Sequence, residues 1–137
     1  MAIRSLGTTL EKYGIDGFVI DGLTSIGEIG IESDEIDVTT LDSVGGYKEF
    51  VAGLKDGGEV VLSGFIKNEE HIQAMINLAV NQNIERWGIT APNAAIWFFD
   101  AFVKSFKETE ATVDGVRGFS ATLRITGKPH YSALGLQ

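Results

Sequence analysis

The sequence predicts a mainly β chain, an antiparallel β-sandwich or small barrel with one flanking α-helix. Three observations carry this. Phe119, Ala121, Leu123 and Ile125 alternate strictly with Ser120, Thr122, Arg124 and Thr126, the period of a half-buried strand. Seventeen glycines against 2 prolines supply many turns. A convincing helical stripe occurs once, after Asn68, and it does not recur between strands in the βαβ order of a parallel sheet. With 137 residues, 44% hydrophobic and 22% charged, the chain suits one domain with a real core and is not composed like a disordered segment.

Taken in order, residues 1–15 show neither helical nor strand period and read as an N-terminal arm. A short strand begins at Gly17. Imperfect alternation from Ser25 to Glu32 and clean alternation of Glu35, Asp37 and Thr39 with Ile36, Val38 and Thr40 predict two strands with an acidic face, divided by a turn near Ser33-Asp34. Residues 42–58 read as a long loop. Tyr47, Phe50, Val51 and Leu54 recur within it at i, i+3, i+4 and i+7, and Lys55-Asp56-Gly57-Gly58 closes it as a turn.

Glu59 to Lys67, rich in Val, Leu, Phe and Ile, is a strand of a buried sheet. Asn68 caps the helix, Glu69 and Glu70 suit its positive end, and Ile72, Met75, Ile76 and Ala79 form the apolar stripe before Asn81-Gln82-Asn83 ends it. Ile84 to Thr90 is a strand and Ala91-Pro92-Asn93 a turn. Ala95 to Lys107, through Trp97, Phe98, Phe99, Phe102 and Val103, reads as a strand buried on both faces. Asp114-Gly115 marks a two-residue hairpin, its return strand stops at Pro129, and residues 128–137 form a C-terminal tail whose Tyr131, Leu134 and Leu136 need cover.

Charge is unevenly spread. Of 19 acidic and 11 basic residues, the stretch Tyr13 to Tyr47 holds Asp16, Asp21, Glu28, Glu32, Asp34, Glu35, Asp37 and Asp42 and no base, leaving 11 acids against 11 bases elsewhere. The formal charge of −8 disfavours a phosphate-gripping surface, which needs clustered Lys and Arg. The absence of cysteine rules out a disulfide framework, a thiolate metal site and a cysteine nucleophile, and fits intracellular synthesis. Neither an apolar run of signal-peptide length nor 18 uninterrupted apolar residues occurs, so secretion and membrane spanning are not expected.

No catalytic constellation emerges. His71 and His130 are far apart without metal-ligand spacing. No serine sits in Gly-x-Ser-x-Gly, and neither Gly127-Lys128 nor Gly53 to Gly58 completes a phosphate loop. Carboxylates are plentiful but fall on solvent faces of strands, and Glu32-Ser33-Asp34-Glu35-x-Asp37 lacks the ligand spacing and central glycine of a calcium loop. Neither cofactor nor metal is expected, and the chain is read as non-enzymatic.

Two stretches together carry a resemblance: Glu35-Ile36-Asp37-Val38-Thr39-Thr40-Leu41-Asp42, and Tyr47-Lys48-Glu49-Phe50-Val51-Ala52-Gly53-Leu54-Lys55-Asp56-Gly57-Gly58-Glu59. Followed by a strand, one helix, a strand, an aromatic-rich strand and a last strand Phe119 to Pro129, they resemble the tail tube (major tail) proteins of long-tailed bacteriophages. The resemblance covers roughly Gly22 to Pro129. It implies a single tail-tube-like domain over 1–137, closing into homohexameric rings that stack into a tube for DNA ejection. Its partners would be further copies of itself, tape-measure and other tail proteins, and passing DNA that is not held; its place would be the virion tail, after synthesis in the host cytoplasm.

On that reading Tyr47, Phe50, Val51, Leu54, Lys55, Tyr131 and Leu134 lie at subunit interfaces, where apolar side chains a small domain cannot bury find cover. Glu28, Glu32, Glu35 and Asp37 are the candidates to face the lumen and repel phosphate, with a solvated outer face as the plain alternative. The competing functions are another ring-forming tube protein, such as a type VI secretion tube protein or tail terminator, and a small carbohydrate-binding β-sandwich, for which Trp87 is the candidate exposed aromatic.

Overall fold

The computed structural model describes residues 7–14, 17–93, 95–108 and 115–133. Among these the chain runs β1 (Thr9–Lys12), β2 (Phe18–Val19), β3 (Leu23–Ile26), β4 (Glu32–Asp37), β5 (Phe50–Asp56), β6 (Glu59–Phe65), α1 (Glu69–Asn81), β7 (Glu85–Thr90), β8 (Ile96–Glu108) and β9 (Gly118–Ser132). Seven strands form one antiparallel sheet in the order β2-β1-β7-β8-β9-β6-β3, and β4 and β5 pair as a separate two-stranded ribbon. The sheet curls as a half-barrel around α1, so the mainly β, antiparallel architecture with one flanking helix takes its barrel-like form.

The core lies on one face of this sheet. Strict alternation in β9 buries Phe119, Ala121, Leu123 and Ile125, and β6 adds Val60 and Leu62 beside them. Asn68 accepts a hydrogen bond from the Glu70 amide at 2.9 Å, capping α1 as its residue type predicts. Ile72, Met75 and Leu78 are the helix residues buried, while Ile76 is 37% exposed, so the stripe is rotated from the expected one.

Strand β8 departs from the two-sided burial expected of it. Phe99, Ala101 and Val103 enter the core, whereas Trp97, Phe98 and Phe102 on β8 are only half-buried. Between Val103 and Ser105 the register slips by one residue, a bulge that reverses which side chains face inward. Phe106 thereby rejoins the core and stacks on Phe119 at 5.7 Å between centroids. The aromatic run looks two-sided in sequence because it straddles this change of phase.

Three further expectations give way. The N-terminal arm contains β1, which pairs with both β2 and β7 and buries Leu10 completely; four residues are too few to display a period. The acidic strands are divided at residues 27–31 rather than at Ser33-Asp34, which lies inside β4; the Gly27 amide donates to Val61 O at 2.6 Å, holding the chain against β6 before the ribbon departs. Pro129 does not stop β9. Asp100 pairs with Thr126 and Phe98 with His130, so residues 127–129 bulge out, with Gly127 at φ 82°, and Pro129 sits where no ladder donor is required. The expected tail from 128 therefore begins as strand, with Tyr131 beside Trp97 at 5.1 Å. Asp114 lies outside the described residues, but the strands it joins are antiparallel neighbours as expected.

Candidate assembly surface

Residues 42–58 form no helix over Tyr47 to Leu54. The stretch rises into a turn at Val44–Gly46 and returns as β5, antiparallel to β4, with Glu32 opposite Asp56, Ile36 opposite Val51 and Asp37 opposite Phe50. Both strands of this ribbon are exposed on both faces. Leu41 is fully exposed and Leu54 is 84% exposed, with Ile36, Val44, Tyr47, Phe50 and Val51 also open. A two-stranded ribbon is marginal in water unless something packs on it.

Its root is anchored at three points. Arg124 donates to Asp56 at 2.9 Å, and the Gly58 amide donates to the same carboxyl group at 2.7 Å. The Arg124 hydrogen bond and then the Gly58 amide hold Asp56 below the ordinary aspartate range. Gly57 packs so tightly on β9 that a Cβ there would stand 2.6 Å from Ile125 Cγ2. At the far end the Thr39 hydroxyl and amide hold Asp37 below the same range, the amide donating at 2.9 Å. Further bonds tie the tip together: Glu49 N–H to Thr39 Oγ1 at 2.7 Å and Ser43 Oγ to Glu49 at 2.9 Å. The tip thus has defined local geometry without a packed side.

Between the ribbon root and the β9 bulge lies an open groove of about 710 Å³. Ile31, Leu54, Ile125 and Pro129 give it apolar walls, and Lys55 and Lys128 stand at its margin. Neither lysine has an ion-pair partner among the described residues, whereas Arg124 is committed to Asp56. Sequence reasoning singles out Leu54 and Lys55 but misses Ile31, which the link before β4 supplies, and Lys128 and Pro129, which the β9 bulge brings alongside.

The expected interface residues fall on two surfaces. Tyr47, Phe50, Val51, Leu54 and Lys55 belong to the ribbon; Tyr131 is on β9 against Trp97, 57% exposed; Leu134 lies outside the described residues. The acidic candidates do not share one face. By register Glu35 and Asp37 lie beside Ala52 and Phe50, Glu32 faces the other way beside Asp56, and Glu28 is exposed in the link before β4. The further exposed apolar residues here, which sequence reasoning does not single out, are Ile36, Val38, Leu41 and Val44, whose placement in a strand or loop gives no sign that both faces are open.

Among the described residues no group of three or more His, Cys, Asp or Glu side chains could hold a metal, and no helix is long and apolar enough to cross a membrane. Trp87, the candidate sugar platform, is fully buried, its Nε1–H donating to Ala101 O at 3.3 Å. His71 stacks on Phe18 and His130 on Phe98, each ring serving a packing contact. The ion pairs Lys104–Glu59, Arg86–Asp100 and Arg117 with Glu69 and Glu108 tie elements to one another on the surface.

No family model matches the chain, and no curated protein matches it in sequence. Solved structures do. The tail of an empty gene transfer agent particle, refined with C6 symmetry, superposes with a TM-score of 0.81 at 16% identity, over 96% of this chain and 99% of that one. The PVC sheath–tube complex of an extracellular contractile injection system gives 0.71 at 17% identity, over 96% and 91%. The SPP1 tail tube gives 0.71 at 13% identity, over 95% and 78%. The chain therefore has the fold shared by these tail and tube proteins.

Proposed function

We propose that this chain, carrying the tail-tube fold, is a structural subunit that assembles into stacked hexameric rings forming a phage tail tube through which DNA leaves the particle. The observation that carries the reading is the uncovered β4–β5 ribbon: apolar side chains along two open faces, on a fold otherwise packed around its own core. Burying such side chains contributes roughly 1.5–3 kcal/mol each. A neighbouring copy supplies that cover in a ring, and a repeated copy supplies it identically at every interface. The C6 symmetry of the similar gene transfer agent tail supports six copies per ring.

On this reading Tyr47, Phe50, Val51, Leu54 and Lys55 contact the next subunit, and Tyr131 and Leu134 belong to a second contact. Glu28, Glu35 and Asp37 remain the acidic candidates for the lumen, with Glu32 set on the opposite ribbon face. Tape-measure and other tail proteins are the further partners, the virion tail is the location, the host cytoplasm the place of synthesis, and the role is assembly rather than catalysis. Both phage and injection-system tubes share the fold, so an injection-system tube is the second reading; the acidic, phosphate-repelling stretch favours DNA as the cargo.

The test is negative-stain microscopy and sedimentation of concentrated purified protein, beside Leu54→Asp. Rings or tubes of uniform width from the natural chain, with a monodisperse folded Leu54→Asp variant, are the expected outcome. Identical assembly by both, or a monomer at every concentration even with tail-initiating proteins supplied, overturns it.

A further inference from the structure

The far tip of the ribbon and the groove at its root are complementary. The tip presents Leu41, fully exposed, beside Asp42, which has no ion-pair partner among the described residues. The groove presents the apolar walls Ile31, Leu54, Ile125 and Pro129, with Lys55 and Lys128 at the margin against the single uncommitted carboxylate Asp34. An apolar knob followed by a negative charge thus matches an apolar trough bordered by two free positive ones. Covered apolar walls gain from burial, and the charges set orientation.

A copy cannot serve itself. The paired part of the ribbon spans about 20 Å at 3.3–3.4 Å per residue, with the tip beyond it. The β4–β5 ladder holds the tip away from the root over its whole length. We infer that the groove at the ribbon root is the docking site for the Leu41-Asp42 tip of a second copy of this chain. Knob and groove are different patches, so the contact is head-to-tail: it repeats rather than pairing off and, with the right rotation, closes into a ring. The inference rests on the assembly reading above and names the segment and the receptor within it. Lys55 and Lys128 are positioning residues for the tip, and the β9 bulge at residues 127–129 exists in register terms to bring Lys128 and Pro129 to the groove.

The chain has no cysteine, so introduced thiols report contact without background. Asp42→Cys and Thr126→Cys, the latter lining the groove with both lysines retained, are purified separately, mixed under assembly conditions and oxidised. A disulfide dimer holding one copy of each variant is expected, and none when Val80→Cys, exposed on α1, replaces the tip variant. In parallel, Lys128→Glu raises the concentration needed for assembly about tenfold and Asp42→Lys in the same chain restores it, as a re-paired charge does. Tubes without the mixed disulfide overturn the docking and leave the tube reading standing. The mixed disulfide without tubes supports the docking and overturns the tube reading, and neither product overturns both. Tip-to-tip disulfides of Asp42→Cys alone, in place of the mixed species, also overturn the docking.

Discussion

Single residues decide how firmly the ribbon is held. Gly57 is buried against β9, and the atoms a Cβ would strike are the Cγ2 and, at 3.2 Å, the Cβ of Ile125, a side chain itself 4% exposed, with Pro129 Cδ at 3.3 Å. Neither can swing aside as a flexible chain end would. Gly57→Val is therefore expected to destabilise the chain by about 1–3 kcal/mol through overpacking, read as a lower midpoint in chemical denaturation. The Asp56–Arg124 contact makes a different prediction. Asp56 is depressed chiefly by the Arg124 hydrogen bond, so what it contributes is complete well above the ordinary aspartate value of about 3.9 and is lost as pH falls through the lower folded value. Removing the donor with Arg124→Gln should move the Asp56 carboxyl titration, followed by NMR, back up towards that ordinary value. The Gly58 amide still bonds the other oxygen of the same carboxylate, so a partial return is expected; an unmoved titration would mean that the arginine does not hold the root.

At the scale of elements, the ribbon is separable from the body. Asp37 and Phe50 face each other directly, so residues 38–49 can be replaced by Asn-Gly, the pair that favours a two-residue hairpin turn. The shortened chain is expected to unfold within a few degrees of the natural one, roughly the effect of under 1 kcal/mol. It should also fail to sediment as polymer at any concentration. Loss of folding together with assembly would show the tip to be part of the core instead. The same ribbon marks the limit of what the sequence discloses. Strands β6 and β9 and helix α1 are legible because each has one covered face, which imposes alternation on Val60 and Leu62, on Phe119 to Ile125, and a stripe on Ile72 and Met75. A ribbon open on both sides has no such constraint. Tyr47, Phe50, Val51 and Leu54 match a helical period by coincidence, while an extra residue on β5, opposite the step from Ser33 to Glu35, spoils the strand period. The ribbon's apolar residues are legible as side chains that lack cover, but the groove is not, because Ile31, Leu54 and Pro129 meet only when segments far apart in sequence are brought together.

On the assembly reading proposed above, the charge distribution of the whole molecule becomes a property of the tube. The stretch from Tyr13 to Tyr47 carries eight acids and no base while the remainder balances at 11 against 11, so each added subunit adds its negative charge in the same place. Around a bore this repeats as a negative wall, which lowers the local concentration of phosphate and keeps DNA from adhering. On an outer surface it only aids solubility. The two placements separate under charge reversal. Glu28→Lys with Glu35→Lys leaves the Asp37 turn bonds and the Asp56 anchor untouched, so rings should still form. If these carboxylates face the lumen, assembled variant tubes will retain short fluorescent DNA that natural tubes let through, and particles built from them will release their genome more slowly. Retention should fall steeply as salt is raised from about 50 to 200 mM, since counterion release drives it. Retention that is equal for tubes with open and with capped ends would place the reversed charges on the outside. Assembled variant tubes that retain nothing, and release DNA at the natural rate, would remove these residues from the bore.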